Sequence, residues 1–460
     1  MAERVSDAAD GDATEPLPQL PPEPPGPKLL GSSSFFRLWL AQVVSSMGDW
    51  IGLFAILTLT ARVGKGSPEA AIALVMSARM IPGFFLASVG GVLVDRWDRR
   101  RVMVGCDIGR GLVFATLPWV DSVLHLFLAS LVLEVLTLLW SPAKEASVPN
   151  LVKPDKLASA NSFSLAAAYG TFPVASALFA SLTKVSEIVS RHAGPLDFLN
   201  LNQESLAIYF NVVTFFLSAF LIWSLTLPRN RPAERAPIAL TRTFTEIKEG
   251  WKFVGANPTV RSVMVGLGTA LIGGGMIAPL GPIYATQVLH AGAAGFGLLL
   301  TALGMGLAVG VVGLSTFQKR VPHMRAFPWV VVGSGASMLI AVSMGSLGLT
   351  MTFVAVMGVC AGAVYVLGFT ILQETVDDEL RGRTFATLYT LSRLCMLISL
   401  SLAPLASRVL DDLSDALFDG ELSLGSADFS VPGVRLTLWI GAAIILTAGA
   451  LALRASKVRT

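Results

Sequence analysis

Apolar residues in this chain gather into twelve long runs between Phe36 and Leu453, separated by short polar loops. A bilayer core of roughly 30 Å takes about 20 apolar helical residues, and the runs match that length. They predict spans at Phe36 to Leu59, Ala70 to Val94, Val102 to Val120, Val123 to Trp140, Ala160 to Leu182, Leu206 to Leu227, Val263 to Val288, Phe296 to Phe317, Ala326 to Gly345, Leu349 to Leu372, Phe385 to Ser407 and Leu436 to Leu453. The fold class is therefore an all-α polytopic membrane protein with 12 transmembrane helices, six on either side of a long basic connection. Residues 1–34 form a Pro-rich tail that cannot bury a core, with seven prolines between Pro16 and Pro27, and it is expected to be disordered and cytosolic. The N-terminal bundle is assigned to 35–227, a linker to 228–260, the C-terminal bundle to 261–453 and a short tail to 454–460.

Composition agrees, with 53% hydrophobic and 14% charged residues and a mean hydropathy of +0.67, too little polar surface for a soluble chain of this length. The net charge of +3 matters less than its placement. With a cytosolic N-terminus, 25 of the 34 Lys and Arg fall in inner segments, so both termini are predicted cytosolic, in a multi-pass protein of the cell (inner) membrane. No cleavable signal peptide is read, because the first apolar run is already a full span. Cys106, Cys360 and Cys395 lie within spans and read as packing residues.

Two interruptions stand out. In the linker, Phe244, Ile247, Trp251 and Val254 recur at helical spacing and predict an amphipathic helix on the inner membrane face. From Asp411 to Ser430 the chain has six acids and no base, and reads as a solvated, partly disordered outer loop.

The connection after the second span reads GGVLVDRWDRRRVMV from Gly90. Gly91, Asp95, Arg96, Arg99 and Arg100 in this stretch resemble the loop signature of the major facilitator superfamily, except that Asp98 stands where most members have a second Gly. SPAKEASVPNLV from Ser141, ILQETVDDELRGRTFA from Ile371, MGDW from Met47 and EIKEGWKFV from Glu246 resemble its drug and siderophore exporter branch, which includes macrolide and enterobactin exporters. The resemblance covers residues 35 to 453 and implies the major facilitator fold, two six-helix bundles around a central cavity with access alternating between the two faces. It implies a cytosolic gate at Gly91, Asp95, Arg96, Arg99 and Arg100, with Glu374, Arg381 and Arg383 from the second half. Arg101 reads as no more than a positive-inside charge. The chain departs from the pattern in the fifth span, where Phe172 precedes Pro173 in place of a Gly-Pro element, and in the fourth, which lacks the Arg of many drug antiporters. QKRVPHMR from Gln318 keeps positive charge but has lost the Asp of its first-half counterpart.

Charge inside a span costs about 2.5 to 3.5 kcal/mol at mid-depth, so each instance needs a partner or a use. Gln42, Ser45, Ser46 and Asp49 lie on one face of the first span and predict a wet wall. Arg79 lies at comparable depth in the second, Asp107 and Arg110 are three apart in the third, Glu134, Thr137 and Ser141 share a face of the fourth, and Arg393 is the deep charge of the second half. These supply the proton-coupling or substrate-cavity candidates Gln42, Ser45, Ser46, Asp49, Arg79, Arg110, Glu134 and Thr137. For Asp49 and Glu134 the alternatives are proton coupling and a permanent ion pair with Arg79 or Arg110; Asp107 with Arg110 reads as structural. Arg79 is also a candidate for holding an anionic group of the cargo. Gly273, Gly274, Gly275, Pro279 and Pro282 make the seventh span a candidate hinge, whereas Gly306 and Gly310 in the eighth read as close packing.

There is no phosphate-binding Gly-rich loop with a Lys and no Cys or His cluster at metal spacing. His125, His192, His290 and His323 fall near loop ends. The reading is a non-enzymatic secondary transporter, an efflux antiporter without cofactor or metal, that exports a drug- or siderophore-like amphiphile, with a proton gradient as its energy source. Its partners would be the small molecule, protons and membrane lipids, with no nucleic acid, and the chain is expected to act as a monomer. The alternatives are a lipid or lysophospholipid flippase and a non-transporting receptor or assembly factor that kept the fold.

Overall fold

The computed structural model describes residues 26–190, 202–225, 251–252, 254–317, 321–376, 378–418, 421–424 and 427–457. The first half contains α1 (Ser33–Val63), α2 (Pro68–Arg96), α3 (Arg99–Thr116), α4 (Val123–Ser147), α5 (Leu157–Gly170), α6 (Phe172–Ser190) and α7 (Ser205–Trp223). The second contains α8 (Pro258–Gly275), α9 (Ile277–Gln287), α10 (Gly292–Phe317), α11 (His323–Ser343), α12 (Leu347–Thr375), α13 (Asp378–Leu397), a π-helical turn (Ile398–Leu402), α14 (Ala403–Phe418) and α15 (Gly433–Lys457). Taking α5 with α6, α8 with α9, and α13 with α14 as single broken spans, each half has six. Among the described residues ten of these are long and apolar enough to cross a bilayer. The other two, α2 and α3, carry Arg79 and the pair Asp107 and Arg110, and they pack against α4 and α7 within the first half.

The breaks have local causes. Proline lacks the N–H that would bond the carbonyl four residues back, and its ring collides with that carbonyl. Pro173 acts on the turn at Thr171 that separates α5 from α6, and Pro279 on the turn at Met276 that separates α8 from α9. The candidate hinge at Gly273, Gly274 and Gly275 thus coincides with a real interruption. Its glycines also serve contact: a Cβ on Gly273 would meet the Gly441 carbonyl, and one on Gly275 the Ser399 hydroxyl. Ser399, in the π turn, donates to the carbonyls of Leu271 (3.0 Å) and Ile272 (2.8 Å), satisfying backbone acceptors beside the break. Gly306 and Gly310 press on the backbone of α12 at Ala355 and Val359, as the packing reading expects.

Several boundaries differ from those expected. The segment expected as a loop from Asp411 continues as helix to Phe418 and then forms an antiparallel hairpin, β1 (Glu421–Leu424) with β2 (Ala427–Ser430), pairing Glu421 with Ser430 and Leu424 with Ala427. The Asp411 carboxylate accepts from the Gly433 N–H (2.7 Å) and Ser414 donates to the Val431 carbonyl (2.7 Å), so two polar residues of the expected loop tie α14 to α15. The chain becomes helical at Ser33, where Ser32 caps by accepting from the Phe35 N–H (3.1 Å). Most of the predicted amphipathic linker helix, including Phe244 and Ile247, lies outside the described residues, as does His192; Trp251 is exposed and Val254 buried.

Among the described residues the two halves meet through a limited set of helices. α1 packs on α9, α2 on α14 and the π turn, and α6 on α10, all toward the end that carries the 64–67 and 288–291 loops. α5 packs on α1 and α6. These contacts close the molecule at that end.

Candidate functional site

Polar side chains of α1, α3 and α7 converge inside the first half. Arg110, on α3, is 1% exposed, and its guanidinium reaches Asp49 on α1 (3.1 Å), Asp107 one turn back on α3, and the Ser45 hydroxyl (3.3 Å). The Asp107 carboxylate also accepts from Ser218 on α7 (2.7 Å), and Ser218 lies 3.2 Å from the Ala41 carbonyl. The rings of Phe215 and Trp140 lie 4.7 and 5.3 Å from the guanidinium carbon, adding two cation–π contacts. A buried cation flanked by two carboxylates and two aromatic faces is held in one place.

Asp49 differs from the rest of this cluster because 38% of its side chain is open. Arg79 acts electrostatically on it, and Arg79 and Asp49 both act on Glu134. Arg393, from α13 in the second half, is exposed and also acts on Glu134. Asp49, Arg79 and Glu134 of the first half and Arg393 of the second thus form one set of interacting charges.

The candidates sort accordingly. Gln42 and Ser45 are buried, Gln42 donating to the Ser164 carbonyl of α5 (2.9 Å), so they brace α1 and are not a free wet wall. Ser46 is half-buried and takes no part in these contacts. Thr137 donates to its own helix at Leu133 (2.9 Å). Of the alternatives for Asp49, the ion pair is made with Arg110 and not with Arg79. Reading Asp107 with Arg110 as a self-contained pair is incomplete, since the same guanidinium also serves Asp49.

The gate candidates are also redistributed. Arg99 donates to the Ala146 carbonyl at the end of α4 (2.7 Å), and Arg100 to the Leu225 (2.9 Å) and Trp223 (3.3 Å) carbonyls beyond α7. Both of these bonds tie helix C-termini within the first half, where a cation complements the helix dipole. Glu374 contacts His323 (3.2 Å) within the second half. Gly91, Asp95 and Arg96 lie in α2 and Arg381 and Arg383 in α13, but their side chains are outside the described set. Asp98, the departure from the family signature, caps α3 by accepting from the Arg101 N–H (2.9 Å). A carboxylate cap serves there in place of a glycine turn.

Sequence reasoning missed Ser218, Phe215 and Trp140. Asn211, Thr214 and Ser218 recur at helical spacing in an otherwise apolar run, a signal that α7 has a polar face. It also missed an aromatic plug at the closed end. Trp50 and Phe54 of α1, Phe172 and Phe179 of α6 and Phe296 of α10 form a continuous set of ring contacts with centroids 4.9 to 6.3 Å apart. Phe172, where Gly-Pro was expected, is part of this plug.

Residues 38–400 match the model of the Major Facilitator Superfamily. The chain belongs to that superfamily. It is 26% identical over 386 residues to YfiS, an uncharacterized MFS-type transporter of Bacillus subtilis, covering 82% of this chain and 87% of the relative. It is 27% identical over 377 residues to BacE, a putative bacilysin exporter of the same organism (81% and 88% covered), and 26% identical over 366 residues to the multidrug efflux pump Tap of Mycobacterium bovis (78% and 83%). Among solved structures it superposes on a bacterial homolog of the human lysosomal transporter Spinster, in an inward-facing, unoccupied conformation, with a TM-score of 0.70 at 15% identity, covering 94% of this chain and 98% of that one. The chain is a multi-pass membrane transporter and not an enzyme, and its α-helical fold is that of the superfamily.

Proposed function

We propose that this transporter exports an amphiphilic small molecule from the cytosol by alternating access, with proton entry as the driving force and both termini in the cytosol. The observation that carries the coupling is Asp49: its carboxylate is bound to a fixed guanidinium, and 38% of its side chain remains open. A proton arriving there weakens the hold of Arg110 on Asp49, while Asp107 keeps the guanidinium in place. Glu134, between Arg79 and Arg393, is the second carboxylate that protons and cargo would compete for. Efflux relatives support the direction of transport. On this reading the end closed by the aromatic plug faces outward and the open end faces the cytosol, where Asp95 and Arg96 would latch the gate after it shuts.

The test is purified protein in liposomes under an imposed pH gradient, screened with drugs, siderophores and lipids for cargo movement and proton flux. Cargo-dependent proton flux in the wild type and its loss in Asp49→Asn is the expected result. Ligand binding with no movement of ligand or protons would favour the receptor reading, and movement of phospholipid alone the flippase reading.

A further inference from the structure

Three consecutive arginines open α3, and the structure uses two of them. Arg99 and Arg100 donate to carbonyls at the ends of α4 and α7, whereas the exposed Arg101 guanidinium has no hydrogen bond or ion pair among the described residues. Beside it, between α3 and α4, lies a groove of about 500 Å³ walled chiefly by Val102, Gly105, Leu136 and Leu139, with Trp97 and Asp98 at its mouth. Nothing approaches within 4 Å of the place a Gly105 Cβ would take, so the floor of the groove is open. Gly105 is one turn beyond Arg101, and the same stripe continues to Ile108 and Leu112, both exposed. From Arg101 to Leu112 this track runs roughly 16 Å along the helix.

We infer that this groove binds a diacyl phospholipid of net negative charge, its phosphate held by Arg101 and one acyl chain laid along the Gly105–Ile108–Leu112 stripe. A guanidinium at the edge of the hydrocarbon, without a partner among the described residues, is matched by a phosphate that accepts two parallel N–H bonds. Trp97, half exposed at the mouth, sits where an indole favours the headgroup level. The sign of the ligand follows from the local charges. Residues 98–101 present three guanidiniums and one carboxylate, and an oxygen of that carboxylate accepts from the Arg101 N–H. An anionic headgroup complements that balance, whereas a headgroup with its own ammonium sets a second cation beside Arg101.

Native mass spectrometry of the purified chain, titrated with dioleoylphosphatidylglycerol and separately with dioleoylphosphatidylethanolamine, tests this. The expected result is one retained phosphatidylglycerol per chain, held more tightly than phosphatidylethanolamine. Arg101→Ala should weaken it about tenfold, as loss of a charged hydrogen bond does. Gly105→Leu, which fills the groove without touching charge, should weaken it as well. Bromine-labelled phosphatidylglycerol should quench a fluorescence component of the wild type that is absent in Trp97→Phe, a readout independent of how either groove variant folds. Unchanged retention in folded Arg101→Ala and Gly105→Leu, equal retention of the two lipids, no quenching at Trp97, or displacement by inorganic phosphate at matched ionic strength would each overturn the assignment.

Discussion

Arg110 holds Asp49 at 3.1 Å across the gap between α3 and α1, with the cation sealed in the bundle at 1% exposure and the carboxylate 38% open. This asymmetry divides one ion cluster into a fixed part, Arg110 with Asp107 and Ser218, and a part that can change, Asp49. Removing the fixed part should unfold the first half, and altering the changeable part should affect transport.

Arg110→Met is therefore expected to lower stability by about 3 to 5 kcal/mol, the usual cost of leaving a buried charge without its partner, here Asp107. Asp49→Asn should insert and fold with little change in thermal unfolding while losing most proton-driven cargo movement. Thermal unfolding in detergent and flux in liposomes measure the two halves of this expectation. Transport at wild-type rate in Asp49→Asn would take the residue out of the mechanism.

Arg79 acts on both Asp49 and Glu134 without an ion pair to either among the described contacts. If Asp49 passes from Arg110 to Arg79 in the opposite conformation, losses in Arg79→Ala and Asp49→Asn should add for stability of the present conformation but not for transport. A double-mutant cycle on both readouts separates these, and additive transport losses would show that the two residues never pair.

The seam between the halves depends on Gly297. A Cβ there would come within 2.8 Å of the Ala180 backbone on α6, closer than packed atoms allow. Gly297→Leu is expected to wedge α6 from α10 and open the aromatic plug. Spin labels on those two helices near the 288–291 loop should report longer distances than in the wild type. Unchanged distances would mean that the contact between Phe54 and Phe296 holds the end shut without the seam.

Glu69, one residue before the second predicted span, is buried at the closed end. Burial pushes its carboxyl above the ordinary value of 4.5, with Asp411 and Asp412 adding to the rise and its own backbone N–H and Arg408 opposing it. The folded protein therefore binds the Glu69 proton more tightly than the unfolded chain does. Its contribution to stability is greatest at and below pH 4.5 and falls as pH rises from there through the raised folded value. Glu69→Gln should remove this part of the pH dependence and raise the unfolding temperature at pH 7. An identical pH profile in the variant and the wild type would contradict it.

The sequence by itself determined the broad plan. Twelve apolar runs of membrane length admit only helices, because backbone polar groups in hydrocarbon must be satisfied within the segment. The signature around Gly91 to Arg100 pointed to the superfamily, and the glycines and Pro279 marked the break in the seventh span. Buried charges stood out individually, since each is costly in a bilayer, but not their pairing. Arg79 and Arg110 were equally plausible partners for Asp49 along the chain; the packing of α3 between α4 and α7 decided for Arg110 and brought in Ser218, Phe215 and Trp140 from distant positions. In the same way the chain offers Arg99 and Arg100 as gate charges, and only the structure shows them donating to the ends of α4 and α7. Periodicity fixes which face of a helix a residue occupies. Which helix covers that face, and which end of the bundle is closed, are set by contacts between residues far apart in the chain, 61 positions for Asp49 with Arg110 and 111 for Asp107 with Ser218, and only the tertiary structure contains them.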